Sequence, residues 1–150
     1  MSKEMKVGED FIGVGVVFYC HDGEGNVFMS RRNGNARNEN GRWDIGGGKV
    51  ELTERVEDAL QREIKEEYLT EILAKEFLGF RDVFSLVSQE GNIESMHWIV
   101  FDFKVLINST KAGNGEPHKF DDVRWFEKNS LPEPQHSQLP AFLAKYADKL

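Results

Sequence analysis

The chain has 150 residues, a formal charge of −7 and a pI near 5.1, with 39% hydrophobic and 11% aromatic content. This length suits a single domain over residues 1–150, and the acidity argues against broad contact with duplex nucleic acid or an anionic membrane. It does not argue against a polyphosphate, which a divalent cation can bridge to carboxylates.

The one cysteine, Cys20, cannot form an intrachain disulfide and suits a reducing compartment. It ends an apolar run and reads as a small buried hydrophobe. Residues 1–10 are polar and carry no apolar signal core, and no stretch approaches the ~20 apolar residues of a membrane span. The expected location is the cytoplasm.

Phe11 to Tyr19 is apolar and β-rich, a central strand, and Asp22-Gly23-Glu24-Gly25-Asn26 is a turn. Val27 to Arg32 reads as the return strand, and Asn33 to Gly41 as a surface loop rich in Asn and Gly. A short extended piece at Trp43-Asp44-Ile45 leads into Gly46-Gly47-Gly48. From Thr53, a potential N-cap, the pattern turns helical through Tyr68, with Glu54, Glu57 and Asp58 at the positive helix start. Val56, Ala59, Leu60 and Ile64 form its apolar face. Glu71 to Val87 is extended, with Gly79 as a bulge. A turn at Gln89 to Asn92, an aromatic strand from His97 to Ile107 and a loop from Asn108 to Gly115 follow. Val123 to Phe126 is a short strand and Leu139 to Leu150 a closing amphipathic helix. The sum is an α/β fold, an α/β/α sandwich of a mixed sheet with a helix on each side.

The chemistry concentrates in residues 48–67. On a helix Glu63 neighbours Glu66 and Glu67 at i+3 and i+4, and such like charges repel by a few tenths of a kcal/mol per pair, about as much again coming from the negative end of the helix dipole. A cluster that breaks two local preferences fits a magnesium site, because magnesium takes hard oxygen ligands. Helix composition alone equally fits a solvated face with weak ion pairs such as Arg62 with Glu66. The glycines ahead of the helix shift the balance, since they allow close backbone approach and leave carbonyls and amides available to a metal or phosphate.

Together these residues resemble the Nudix box, G-x5-E-x7-R-E-U-x-E-E-x-G-U, where U is bulky and apolar. Gly48, Glu54, Arg62, Glu63, Ile64, Glu66 and Glu67 stand at its positions without a gap, and Gly47-Gly48-Lys49-Val50-Glu51 resembles its usual lead-in. The apolar first strand, Ser30-Arg31-Arg32 and Trp125-Phe126 extend the likeness to MutT-type members over most of the chain. Two departures stand out. Leu69-Thr70 replaces the usual Gly-apolar pair, and Leu adopts the left-handed helix exit only at a cost. Gly46 replaces a frequent proline, which should loosen the loop before the box.

The resemblance implies Glu63 and Glu67 as principal magnesium ligands, with Glu66 close behind, the Gly47 carbonyl as a further oxygen, and manganese as the alternative ion. It implies Arg62 as the residue fixing a glutamate and Glu54 as its brace. Glu63 and the distal Glu116 are both candidates for general base. Glu116-Pro117-His118-Lys119 is similar to a stretch of the family's nucleoside-triphosphate diphosphatases, with an exposed loop as the plain alternative. Arg31 and Lys119 are candidate phosphate contacts. None of the four histidines has ligand-like spacing. Trp43, Phe84 and Trp98 read as core or as base-stacking aromatics. The expected reaction is magnesium-dependent cleavage of a nucleoside triphosphate to monophosphate and pyrophosphate. The rivals are a nucleotide-sugar or ADP-ribose diphosphatase, a non-catalytic nucleotide sensor, and an enzyme of RNA 5′ ends, for which no basic strip is evident. The partner would be a small nucleotide and the state a monomer or homodimer.

Overall fold

A computed structural model describes residues 4–150. Seven strands form one mixed sheet: β1 (Gly13–His21), β2 (Asn26–Arg32), β3 (Trp43–Asp44), β4 (Gly47–Lys49), β5 (Ile72–Val87), β6 (Ile93–Ile107) and β7 (Phe120–Glu127). Its main path runs β3-β2-β1-β6-β5, while β4 pairs with β1 and β7 with β2. Only the β1–β6 pairing is parallel among these; the other ladders are antiparallel. Helix α1 (Val56–Tyr68) and helix α2 (Leu139–Lys145) complete the sandwich.

Alternation along β1 explains the layering. Val16, Phe18 and Cys20 point into one core with Ala59, Leu60, Ile64 and Tyr68 of α1. Val17 and Tyr19 face the second core with Leu139 and Phe142 of α2, and Tyr146 beyond it. Cys20 is fully buried in the first core, and burial pushes its thiol up, as a structural role requires. The β1–β2 turn is set by Asp22, whose Oδ1 accepts from the N–H groups of Glu24 (2.7 Å) and Asn26 (3.2 Å). Gly79 lies at a register shift in the long β5–β6 hairpin, as its place in the sequence suggests.

Several boundaries differ from the sequence expectation. Thr53 does not cap α1: it takes φ 69° in a turn, and the N-cap is Arg55, with no side-chain cap bond. Glu54 is held back in that turn, its Oε1 accepting from the Glu51 N–H at 3.0 Å. Gly47 and Gly48 lie in strand β4, paired with Val17 and Val16, rather than in a free loop. Strand β6 begins at Ile93 because its pairing with β5 runs back to Val87. The closing helix ends at Lys145, where Tyr146 leaves helical backbone (φ −112°) and donates its hydroxyl to Asp102 at 2.7 Å. Ala147–Lys149 continues as a 3₁₀ turn. No helix among the described residues is long and apolar enough to cross a membrane.

Candidate active site

Three elements meet at one end of the sheet: the β4 glycines, the last two turns of α1 and the loop before β7. Tyr68 fixes the helix end against the sheet, its hydroxyl donating to the Ile45 carbonyl at 2.8 Å and lying 3.1 Å from Ser30 Oγ. Gly48 sits directly under the helix, and a β-carbon there would overlap the Glu63 carboxylate. The segment before it is tied rather than loose. Gly46 holds φ 124°, which proline cannot adopt, accepts from the Phe18 N–H at 3.1 Å and has the Phe18 ring where a side chain would stand.

Leu69 adopts the left-handed exit (φ 60°, ψ 27°) that glycine would take, and its N–H reaches the Lys65 carbonyl. The loop from Asn108 to Gly115 then closes over the helix terminus. Gly113 donates to the Tyr68 carbonyl at 3.0 Å and Gly115 to the Glu67 carbonyl at 2.8 Å. That places Glu116 beside the box carboxylates, so that oxygens of Glu63, Glu66 and Glu116 all lie within 4.8 Å of one another.

The carboxylates are not equally exposed. The Glu66 side chain is half exposed at 52%, Glu63 is at 12%, and Glu67 at 1%. Although these glutamates are helical neighbours, Glu67 projects toward the buried side and Glu66 toward solvent. Burial raises the Glu67 carboxyl well above its ordinary range, opposed by Lys119 and reinforced by Glu63, Glu116 and Asp44. Its Oε2 is buried without a hydrogen-bond partner, and the nearest cation, Lys119 Nζ, stands 3.8 Å away. Burial also raises Glu63, against the pull of Arg62.

Arg62 organises this charge. It donates to Glu54 Oε2 (2.8 Å) and Oε1 (3.0 Å), Glu63 Oε1 (2.7 Å) and the Lys49 carbonyl (2.9 Å). The hydrogen bonds from Arg62 hold the Glu54 carboxyl down at about 2. A buried, unbonded carboxylate oxygen beside three more carboxylates is costly unless a cation joins it. The all-oxygen donor set fits a hard dication such as magnesium.

A cavity of about 460 Å³ reaches Glu67, which lines it together with Gly47, Gly48, Lys49, His118 and Lys119, while Glu63, Glu66 and Glu116 are not part of its wall. Lys119 therefore comes to the site, 3.8 Å from both Glu67 and Glu116. Arg31 does not line it. Strand alternation turns Arg31 away, onto Asp121 at 2.7 Å and the Trp43 ring at 5.5 Å, while its neighbours Ser30 and Arg32 face the cavity. Trp43 is core, packed on Phe126; Phe84 is exposed against His97; Trp98 lines the cavity. Arg37, Arg81 and His136 also line it and were not singled out from the sequence. Only the Asn- and Gly-rich loop around Arg37 carried any local signal.

Residues 11–146 match the family model described as the NUDIX domain. The nucleoside triphosphatase NudI of Escherichia coli (strain K12) is 31% identical over 94 residues, 61% of this chain. The matched stretch spans 65% of the length of the curated relative. The crystal structure of a MutT NUDIX hydrolase from Burkholderia pseudomallei superposes with a TM-score of 0.74 at 25% identity, covering 89% of this chain and 97% of that one. The MutT protein from Methanosarcina mazei Go1 shares the fold at a TM-score of 0.73 and 18% identity, over 92% of this chain and 94% of that one.

Proposed function

The chain belongs to the NUDIX family, and on that premise we propose that it is a single-domain hydrolase that cleaves nucleoside triphosphates to monophosphate and pyrophosphate with magnesium, manganese being the alternative ion. The observation that carries the reading is the buried Glu67 oxygen without a hydrogen-bond partner, in the wall of the cavity, on the helix whose Glu63 and Glu66 cluster with Glu116. Glu63, Glu66, Glu67 and Glu116 would hold the cation, with the Gly47 carbonyl as a further oxygen. Bound there, magnesium supplies charge neutralisation for the diphosphate and makes water more acidic.

The chain's own groups divide the remaining work. Arg62 keeps Glu63 and Glu54 oriented through a fork of hydrogen bonds, so the ligand set does not have to reorganise on binding. Lys119 Nζ, 3.8 Å from both Glu67 and Glu116, would meet a phosphate oxygen. The proton released by the attacking water passes to a carboxylate, Glu63 or Glu116. Attack by water at phosphorus proceeds by in-line substitution with no covalent enzyme adduct. The acidic surface suits a small nucleotide rather than a nucleic-acid chain.

Incubation with magnesium and a panel of triphosphates, nucleotide sugars, dinucleoside polyphosphates and ADP-ribose, followed by product identification, tests the proposal. Monophosphate plus pyrophosphate from triphosphates is the expected result. Turnover confined to the sugar or ribose conjugates would move the protein to the diphosphatase class. Nucleotide binding without any turnover would make it a sensor.

A further inference from the structure

The far end of the cavity has a different chemistry from the carboxylate end. Pairing carries across the sheet from Lys49 to Gly15, from Gly15 to Val100, and from Val100 to Arg81. Arg81 therefore lies three strands from β4, roughly 14 Å at ordinary strand spacing. The cavity there is walled by Val83, Leu86, Trp98 and Val100, with Arg81 among them.

Arg81 is held from several directions. Its Nε and Nη2 donate to Asp102 at 2.8 and 2.9 Å, and the Tyr146 hydroxyl donates to the same carboxylate at 2.7 Å. The Phe142 ring lies 5.4 Å from the guanidinium carbon. The Arg81 side chain is 9% exposed and Asp102 is fully buried. Among the described residues no acceptor takes the hydrogens of Arg81 Nη1. The guanidinium has five N–H groups and Asp102 uses two. Beyond Asp102 the guanidinium meets the Tyr146 hydroxyl, and its remaining N–H groups form a fixed edge of donors on a pocket wall that is largely apolar.

Because Asp102 already offsets its charge, this edge has little preference for an anion. The cavity's arginines without a carboxylate partner stand elsewhere: Arg37, which makes no ion pair or hydrogen bond among the described residues, and Arg32, which bonds the neutral Asn38. A neutral acceptor suits Arg81 better; nucleobases offer ring nitrogens and ring carbonyls, and the carbonyl is the acceptor that a related base replaces by an amine. An exocyclic amine at the same place would set donor against donor and leave the guanidinium hydrogens buried and unpaired.

Building on the nucleotide reading of the cavity, we propose that Arg81 selects the base: the site takes nucleotides whose base presents a ring carbonyl in preference to those that present an amine at the same ring position. Asp102 and Tyr146 position Arg81 and do not touch the base.

Two pairs of ligands differ chiefly in this group: inosine against adenosine monophosphate, and uridine against cytidine monophosphate. Calorimetric binding of these four avoids any dependence on turnover. The expected result is that the carbonyl member of at least one pair binds about tenfold tighter or more. The difference should shrink to within about threefold in a variant carrying both Arg81→Leu and Asp102→Asn, which removes the two charges together. Equal affinities within both pairs in the wild-type protein would overturn the proposal without any variant. So would a preference for the amine member, a carbonyl preference that survives in a folded double variant, or no binding of any of the four. A carbonyl preference in a protein that hydrolyses no triphosphate would leave Arg81 assigned and reject the proposed reaction. Triphosphate hydrolysis without the preference would do the reverse.

Discussion

The backbone N–H of Gly115 donates to the carbonyl of Glu67 at 2.8 Å, and the next residue is Glu116. One bond thus caps the helix that carries the box and delivers a carboxylate from 49 positions away to its neighbours Glu63 and Glu66. The bond needs the loop backbone to come very close, since a β-carbon on Gly115 would overlap the Glu66 carbonyl oxygen. Gly115→Ala is expected to push the loop outward, costing about 1–3 kcal/mol of stability through overpacking. The displaced Glu116 should lower kcat/KM by about 100-fold. Urea denaturation and steady-state kinetics measure the two effects, and wild-type kcat/KM would mean that Glu116 is not needed where the loop puts it.

Leu69 occupies the left-handed exit of α1 and is 54% exposed. A non-glycine residue there costs roughly 1–2 kcal/mol, partly offset by the lower chain entropy of leucine in the unfolded state. Leu69→Gly is therefore expected to stabilise the protein by about 0.5–1 kcal/mol, read as a higher urea midpoint at an unchanged slope. A loss of stability would show that contacts of Leu69 with the Gly113–Gly115 loop outweigh the backbone cost.

Glu39 is a buried carboxylate remote from the box that joins three segments. It accepts from the Val87 N–H, the Ser137 N–H (2.7 Å) and the Ser137 hydroxyl (2.7 Å), with His136 Nδ1 3.9 Å away. Burial works to raise its carboxyl, but His136 and these hydrogen bonds prevail and hold it below the ordinary value. A depressed acid stabilises the fold above its unfolded pKa, near 4.3, and that contribution is lost as pH falls through the folded value. Glu39→Gln should thus cost about 1–3 kcal/mol at pH 7. The gap from wild type should narrow progressively below about pH 4. A gap that is constant from pH 7 to 3 would contradict the ionised role.

The box was legible because its chemistry is local: Gly48, Glu54, Arg62, Glu63, Glu66 and Glu67 sit at spacings that one turn and one helix bring together. The layering was legible from the apolar run at Phe11 to Tyr19 and the apolar faces of the two helices. What stayed hidden depends on partners far along the chain. Thr53 looks like an N-cap by residue type, but Arg62 holds Glu54 in the preceding turn and delays the helix to Val56. Arg31 and Arg32 are indistinguishable in sequence, and strand register decides which faces the cavity. Arg81 reads as one charge in a long strand until β6 places Asp102 beside it and Tyr146, beyond α2, bonds the same carboxylate. The graded burial of the three box glutamates likewise follows from where α1 docks, which helix periodicity alone does not specify.

The central claim is that the carboxylates around the buried Glu67 hold a dication for phosphoanhydride cleavage, and Glu67→Gln tests it most directly. Hydrolysis of a nucleoside triphosphate should be followed with and without magnesium, by chromatographic identification of products, in wild-type and variant protein. The account predicts monophosphate and pyrophosphate from the wild type only when the dication is present. It predicts a rate lower by about 100-fold or more in Glu67→Gln. Thermal stability of the variant without metal should be equal or higher, because an uncompensated buried charge is gone. Wild-type turnover in Glu67→Gln, or undiminished wild-type turnover after the metal is chelated, would contradict it.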